Sequence, residues 1–148
     1  MQFYIMICTV VFQVRTKVQE VIARLFTDIP GLRIAVFAHG DYCDADTYIT
    51  RFEDLTTDQK KLCDFVKNVP GTGGGDWEEC YELVLREVRT ELSWQPGTQR
   101  ALVMIGDAIP HGTKYGMNKQ KINWKEEVAA LNAEVPIYFN HLTDFTIY

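Results

Sequence analysis

Ala101-Leu102-Val103-Met104-Ile105-Gly106-Asp107 runs five apolar residues straight into a glycine and a carboxylate. A short unbroken apolar run of this kind reads as a strand covered on both faces, as happens where helical crossovers flank a parallel sheet. Residues 33–38 (Arg-Ile-Ala-Val-Phe-Ala) read the same way. Residues 3–12, apolar throughout and rich in β-branched and aromatic side chains, read as the central strand. From Gln13 the period changes: Val14, Val18, Val21, Ile22, Leu25 and Phe26 share one helical face, and Pro30-Gly31 ends it. Residues 47–52 mix polar and aromatic side chains, as an exposed, edge-like strand does. Thr57 or Asp58 caps a helix whose inner face is Leu62, Phe65, Val66 and Val69. A longer helix is expected over 77–93, with Cys80, Leu83, Val84, Val88 and Leu92 on one side. A polar loop over 111–123, a helix over 124–132 and a last strand over 135–139 complete the pattern. Strands alternating with helices predict one three-layer αβα domain over 1–148, its sheet mostly parallel, with residues 140–148 as a tail.

The composition agrees. The 148 residues, 47% hydrophobic and 24% charged, suit one globular domain with a core of its own. A net charge of -5 without a Lys/Arg cluster argues against a nucleic-acid partner. The apolar run at 3–12 is too short to span a bilayer and lacks the marks of a signal peptide, so a cytoplasmic location is expected. Cys8, Cys43, Cys63 and Cys80 show no metal-ligand spacing and read as reduced thiols, three or four of them buried.

Ligands of open α/β sheets collect beyond the carboxyl ends of the strands. Three segments are expected to meet there: the junction after Phe12, the loop over 71–79, and Gly106-Asp107 with the residues just after it. They bring Thr72, Asp76, Glu79 and Asp107, oxygen donors on separate loops, as a hard cation such as Mg²⁺ or Mn²⁺ requires. Competing structural readings stand beside these. Asp76 and Glu79, three apart, also fit a capping box, and His111 fits a hydrogen-bonding turn residue better than a metal ligand. His39 and Asp41 after the second strand are equally ambiguous. The glycines lack the spacing of a phosphate or dinucleotide loop, and no nucleophile elbow or HExxH sequence is present, so no enzyme is expected.

Gly73-Gly74-Gly75-Asp76-Trp77-Glu78-Glu79, with Val103-Met104-Ile105-Gly106-Asp107-Ala108-Ile109-Pro110-His111 downstream, resembles the von Willebrand factor type A (VWA) family over about residues 14–139. The likeness is to the subgroup with GGGDxPE and IGDAxPH motifs, found in hemicentin-type extracellular proteins and beside α-type kinases. It implies a doubly wound Rossmann-like sheet with a metal-ion-dependent adhesion site at its carboxyl edge. There Mg²⁺ is held by an Asp-x-Ser-x-Ser loop, by a second loop and by an aspartate after the fourth strand, and a partner's carboxylate completes the octahedron. By position, Asp107 matches that aspartate, Asp76 and Glu79 match the acidic loop, and Thr72 is the counterpart of its threonine; Glu78 stands where proline is usual. The Asp-x-Ser-x-Ser loop itself is missing, since Cys8-Thr9-Val10-Val11-Phe12 runs directly into the helix and the amino terminus reads as replaced or shortened.

The resemblance therefore implies a non-enzymatic protein-interaction module whose metal site is degenerate. Its partner is a protein offering an acidic side chain, and Mg²⁺ is the one cofactor, weakly held. Two alternatives are a fully Mg²⁺-dependent adhesion domain, or a regulatory domain of an α-type kinase parent, with an extracellular location as the alternative to the cytoplasm.

Overall fold

The computed structural model describes residues 1–7, 12–106 and 108–134, with backbone alone at 3–7, 12–14 and 134. Strand β1 (Gln2–Ile7) lies between β2 (Arg33–His39) and β5 (Arg100–Ile105), parallel to both, so that Ile5 faces Val36 on one side and Val103 on the other. Strand β3 (Thr50–Thr56) adds antiparallel to β2, giving the order β3-β2-β1-β5. The sheet is therefore mixed α/β in character, with its parallel part at the centre. The expected edge strand begins three residues later than its sequence pattern suggested. Residues 42–47 are used in a 3₁₀ turn and its exit, and Gly40 N–H donates to Ile49 O before the pairing proper starts.

Alternate residues of β2 enter different cores, the period of two that a strand imposes. Ile34 and Val36 pack with Val18 and Ile22 of α1 (Phe12–Asp28) and with Leu62 and Val66 of α2 (Gln59–Asn68). Ala35 and Phe37 pack with Val84, Leu85 and Val88 of α3 (Tyr81–Thr90) and with Leu131 of α4 (Trp124–Glu134). Val21, assigned by period to the inner face of α1, is instead 47% exposed. At the edge, Phe52 stacks on Phe37 with ring centroids 4.5 Å apart, so the exposed strand still covers the core.

Other departures have local causes. Helix α3 starts at Tyr81 and not at Trp77, because Glu78–Glu79 forms a short strand, β4, parallel to β6 (Ile109–Pro110). The Asp76–Glu79 capping box is thereby excluded: Asp76 Oδ1 accepts from Glu78 N–H at 3.0 Å, ahead of β4 and well before the helix begins. In β5, Ala101 and Leu102 are buried but Val103, Met104 and Ile105 are only partly covered, since β5 is an edge among the described strands. The polar segment after β6 is indeed loop, yet Asn118 and Ile122 are buried within it. The Asn118 side chain accepts from Ile122 N–H and donates to Ile122 O, both at 2.9 Å, which clips the loop shut. Of the described cysteines only Cys80 is fully buried, whereas Cys63 is intermediate and Cys43 exposed; all three are free thiols. The expected strand at 135–139, the tail, and Cys8 lie outside the described residues. No described helix is long and apolar enough to cross a membrane.

Beside the apolar contacts of Leu131, one carboxylate clamps α4 to α3. Glu127, almost fully buried, accepts from Arg86 through Oε1 at 2.7 and 2.8 Å and from Arg89 through Oε2 at 2.8 and 3.0 Å. Burial alone pushes its pKa up, but the two guanidinium groups outweigh it and the net shift is downward from 4.5. A depressed carboxylate pKa stabilises the fold above the unfolded value and loses that contribution as pH falls through the folded one. Glu127→Gln is accordingly expected to destabilise by about 2–3 kcal/mol at neutral pH, the cost of leaving charged donors short of their acceptor. In urea titrations the gap between the variant and wild type should close as pH drops below 4.5, the unfolded value. Asp58 caps α2 by accepting from Lys61 N–H at 3.0 Å; Asp58→Ala should cost about 1 kcal/mol in the same measurement, with a two-state transition retained.

Candidate functional site

Strand β2 delivers His39, Gly40 and Asp41 to its carboxyl end. Gly40 is required by close approach: a Cβ there would lie 2.7 Å from Asp44 Oδ2 and 2.8 Å from Thr72 Cγ2. The chain then tightens into the turn Tyr42–Asp44, where Asp41 N–H donates to Asp44 Oδ2 at 2.8 Å. Asp44 also accepts from Gly73 and Gly74 N–H at 3.2 Å, and so anchors the glycine-rich loop to the end of β2. Gly74 has φ +64, a left-handed conformation that a side chain would strain.

The loop hands Asp76 to the rim and passes into β4. Pairing of β4 with β6 brings the segment after β5 alongside, and His111 N–H donates to Glu79 O at 3.2 Å. His111 is thereby placed with its Nε2 2.7 Å from Asp41 Oδ1 and 3.9 Å from Asp76 Oδ1. Asp41 and His111 are both almost entirely buried, at 0% and 1% exposure, while Asp76 opens to solvent. Tyr115 stacks on the His111 ring, centroids 3.7 Å apart and planes within 8°, and its hydroxyl donates to Asp76 Oδ2 at 3.1 Å. Beneath, Tyr42 donates to Glu82 Oε1 at 2.8 Å, and the Cys80 thiol donates to Gly40 O at 3.1 Å.

The electrostatics come from crowding acids on one rim. Desolvation, then the bond and charge of Asp41 and the charge of Asp44, push the Cys43 thiol up to about 11. Burial and the Asp76 bond raise the Tyr115 hydroxyl to about 12. Burial raises Glu82, although its bond from Tyr42 works the other way. Cys43, His111 and Asp41 are the residue types of a cysteine nucleophile with its base and orienter. Here, though, the thiol bears on the carboxylate, and its raised pKa keeps it protonated at neutral pH, the opposite of activation.

The residues expected from sequence to gather at this rim do so unequally. Asp76 joins Asp41 and His111 in a group whose ligating atoms all lie within 4.8 Å of one another. Glu79 belongs to the same rim but turns elsewhere, its Oε2 3.9 Å from His39 Nδ1. Thr72 packs its methyl end over Gly40. Asp107 lies outside the described residues; on either side of it, Gly106 abuts the Tyr81 hydroxyl and Ala108 N–H donates to that oxygen at 3.3 Å. Sequence reading passed over Asp44, whose role is to hold backbone 29 and 30 residues away, and Tyr115, whose spacing of four from His111 was the one available hint.

No family model matches this chain, and no curated protein matches it in sequence. Solved structures resemble it in shape. The conserved hypothetical protein BatB from Bacteroides thetaiotaomicron aligns with TM-score 0.61 and 14% identity over 93% of this chain and 64% of that one. An aerotolerance-related membrane protein from Bacteroides fragilis aligns with TM-score 0.57 and 15% identity, over 94% of this chain and 65% of its own. The pilus adhesin SpaC from Lactobacillus rhamnosus GG, in its open conformation, gives TM-score 0.56 and 13% identity over 73% of this chain and 15% of its own. The chain thus spans less than two-thirds of each of these molecules. Identities this low speak to the fold alone, and the fold they share with this chain is α/β.

Proposed function

We propose that this chain is a non-enzymatic protein-interaction module of the VWA type, built on a three-layer, doubly wound, Rossmann-like sheet, with a degenerate metal-ion-dependent adhesion site. The observation that carries this reading is that the oxygen donors at the carboxyl rim already accept hydrogen bonds from the protein itself, so an all-oxygen octahedron would have to displace them. Asp44 is bound by Gly73 and Gly74, Asp76 by Glu78 N–H and Tyr115, and Asp41 by His111. Mg²⁺ demands near-octahedral oxygen coordination and gives up its water reluctantly. The donor group that converges here includes an imidazole and has lost the Asp-x-Ser-x-Ser oxygens, a poor fit for that ion.

The interaction mode is set by charge. Asp41, Asp44, Asp76 and Glu79 make the rim acidic, so a partner's acidic side chain docks there only across a bridging cation. Without one, the partner contacts the surrounding surface. A fully Mg²⁺-dependent adhesion domain is the second reading, favoured by the meeting of Asp76 with His111 and Tyr115, a few residues after Asp107 in the chain. A regulatory role within an α-type kinase parent is compatible with either. A cytoplasmic location, with an extracellular one as the alternative, belongs to the same proposal, and the free thiols of Cys43, Cys63 and Cys80 are compatible with it.

Calorimetric titration separates the two readings. A degenerate site predicts Mg²⁺ and Mn²⁺ affinities no tighter than roughly millimolar, as for sparsely liganded oxygen sites, and little change in Asp107→Ala. Micromolar Mg²⁺ binding that Asp107→Ala abolishes would overturn the degenerate assignment in favour of the metal-dependent one.

A further inference from the structure

Asp41, Asp76 and His111 form a donor set unlike an all-oxygen Mg²⁺ cage, and we propose that they constitute a site for a borderline transition-metal cation of the Zn²⁺ class. This inference stands apart from the Mg²⁺ reading, because it rests on imidazole chemistry and on residues outside the adhesion-type ligand pattern, Asp76 excepted.

Four observations carry it. The first is convergence: one atom from each of the three side chains lies within 4.8 Å of the others, although the residues come from the end of β2, the glycine loop and the turn after β6. The second is that the fully enclosed Asp41 carboxylate is weakly satisfied: it has His111 Nε2 on Oδ1 and the poor thiol donor of Cys43 beside it, and its Oδ2 takes no N–H or O–H donor. Buried polar atoms of native proteins are rarely left in that state. The third is preorganisation. Tyr115 stacks flat on the His111 ring and donates to the far oxygen of Asp76, so one residue sets the orientation of two ligands. Such supporting contacts are a regular feature of metal sites. The fourth is charge: among the described residues, His111 is the one basic side chain paired with Asp41 or Asp76.

The geometry suits a small ion. Ligands at about 2.0–2.2 Å from a tetrahedral Zn²⁺ stand roughly 3.3–3.5 Å from one another. His111 Nε2 and Asp76 Oδ1 face each other at 3.9 Å, a small adjustment away. Asp41 Oδ1, now 2.7 Å from Nε2, must move outward or yield to Oδ2. On binding, Nε2 gives up its hydrogen bond to Asp41 Oδ1 and the ring proton moves to Nδ1, so the bonds to the ion must outweigh that lost contact and a buried N–H without an acceptor. Asp76 is exposed, so the site is reached from solvent on its side. Imidazole with carboxylate favours Zn²⁺ over Mg²⁺ by the ordinary preference of softer donors.

The test is Zn²⁺ titration of the whole chain by calorimetry at neutral pH with excess Mg²⁺ present. One equivalent is expected to bind, undisturbed by Mg²⁺. Asp76→Asn and His111→Ala should each weaken it by about 100-fold or more, and Tyr115→Phe by roughly tenfold, as for loss of a supporting contact. Asp76 is solvent-facing, so its variant should keep the wild-type circular dichroism and melting temperature even if His111→Ala does not fold. Failure of the wild type to bind Zn²⁺, equal affinity in Asp76→Asn, or displacement by Mg²⁺ would each overturn the assignment. None of those results touches the degenerate-site reading, which falls only to tight Mg²⁺ binding that depends on Asp107.

Discussion

The contact between Asp41 and His111 ties the end of β2 to a turn 70 residues later, with both side chains out of solvent. A carboxylate so enclosed is costly unless something compensates it, and removing one partner of such a pair leaves the other stranded. That constraint explains why the surrounding parts fit as they do. The β4–β6 pairing exists where it does because His111 must arrive beside Asp41. The glycine loop must pass close over Gly40, since Asp44 needs its N–H groups. Tyr115 closes the arrangement from outside, with its ring on the imidazole and its hydroxyl on Asp76. The rim is a single hydrogen-bonded unit, not a set of independent loops.

That unit shapes the functional reading. Here the acidic groups serve as acceptors for backbone and side-chain donors, and the His111 imidazole is buried beside Asp41. Burial first, and then the hydrogen bonds and charge of the neighbouring carboxylates, push the Cys43 thiol and the Tyr115 hydroxyl upward. A rim with this electrostatic character favours cations and basic partners, and it disfavours direct approach of an acidic one. The likeness to a pilus adhesin and to two Bacteroides proteins is one of shape, and this chain accounts for only part of each.

Much of the fold was legible because it rests on local periodicity. The apolar run of β2 and the Asp58-capped helix α2 arise from side-chain patterns that any window of a dozen residues displays. Errors arose where a tertiary partner overrode local preference. Glu78 and Glu79 have good helical propensity, yet strand pairing with Ile109–Pro110 claims their backbone and delays α3 to Tyr81. Val21 obeys the helical period but faces solvent. For the site, Asp76 was legible from its glycine-rich setting, and His111 was read as a bonded turn residue, which is how it sits. Its partner was not legible, because no local pattern links residue 41 to residue 111.

Sequence alone determined the alternation of strands and helices, the acidic character of the chain, and the residue types that gather at the strand ends, since each depends on composition or short-range spacing. Tertiary structure alone decided which of those residues touch. The Asp41–His111 bond, the grip of Asp44 on the glycine loop and the stacking of Tyr115 join positions far apart along the chain. Their geometry is set by sheet order and loop crossing, quantities to which side-chain periodicity is blind.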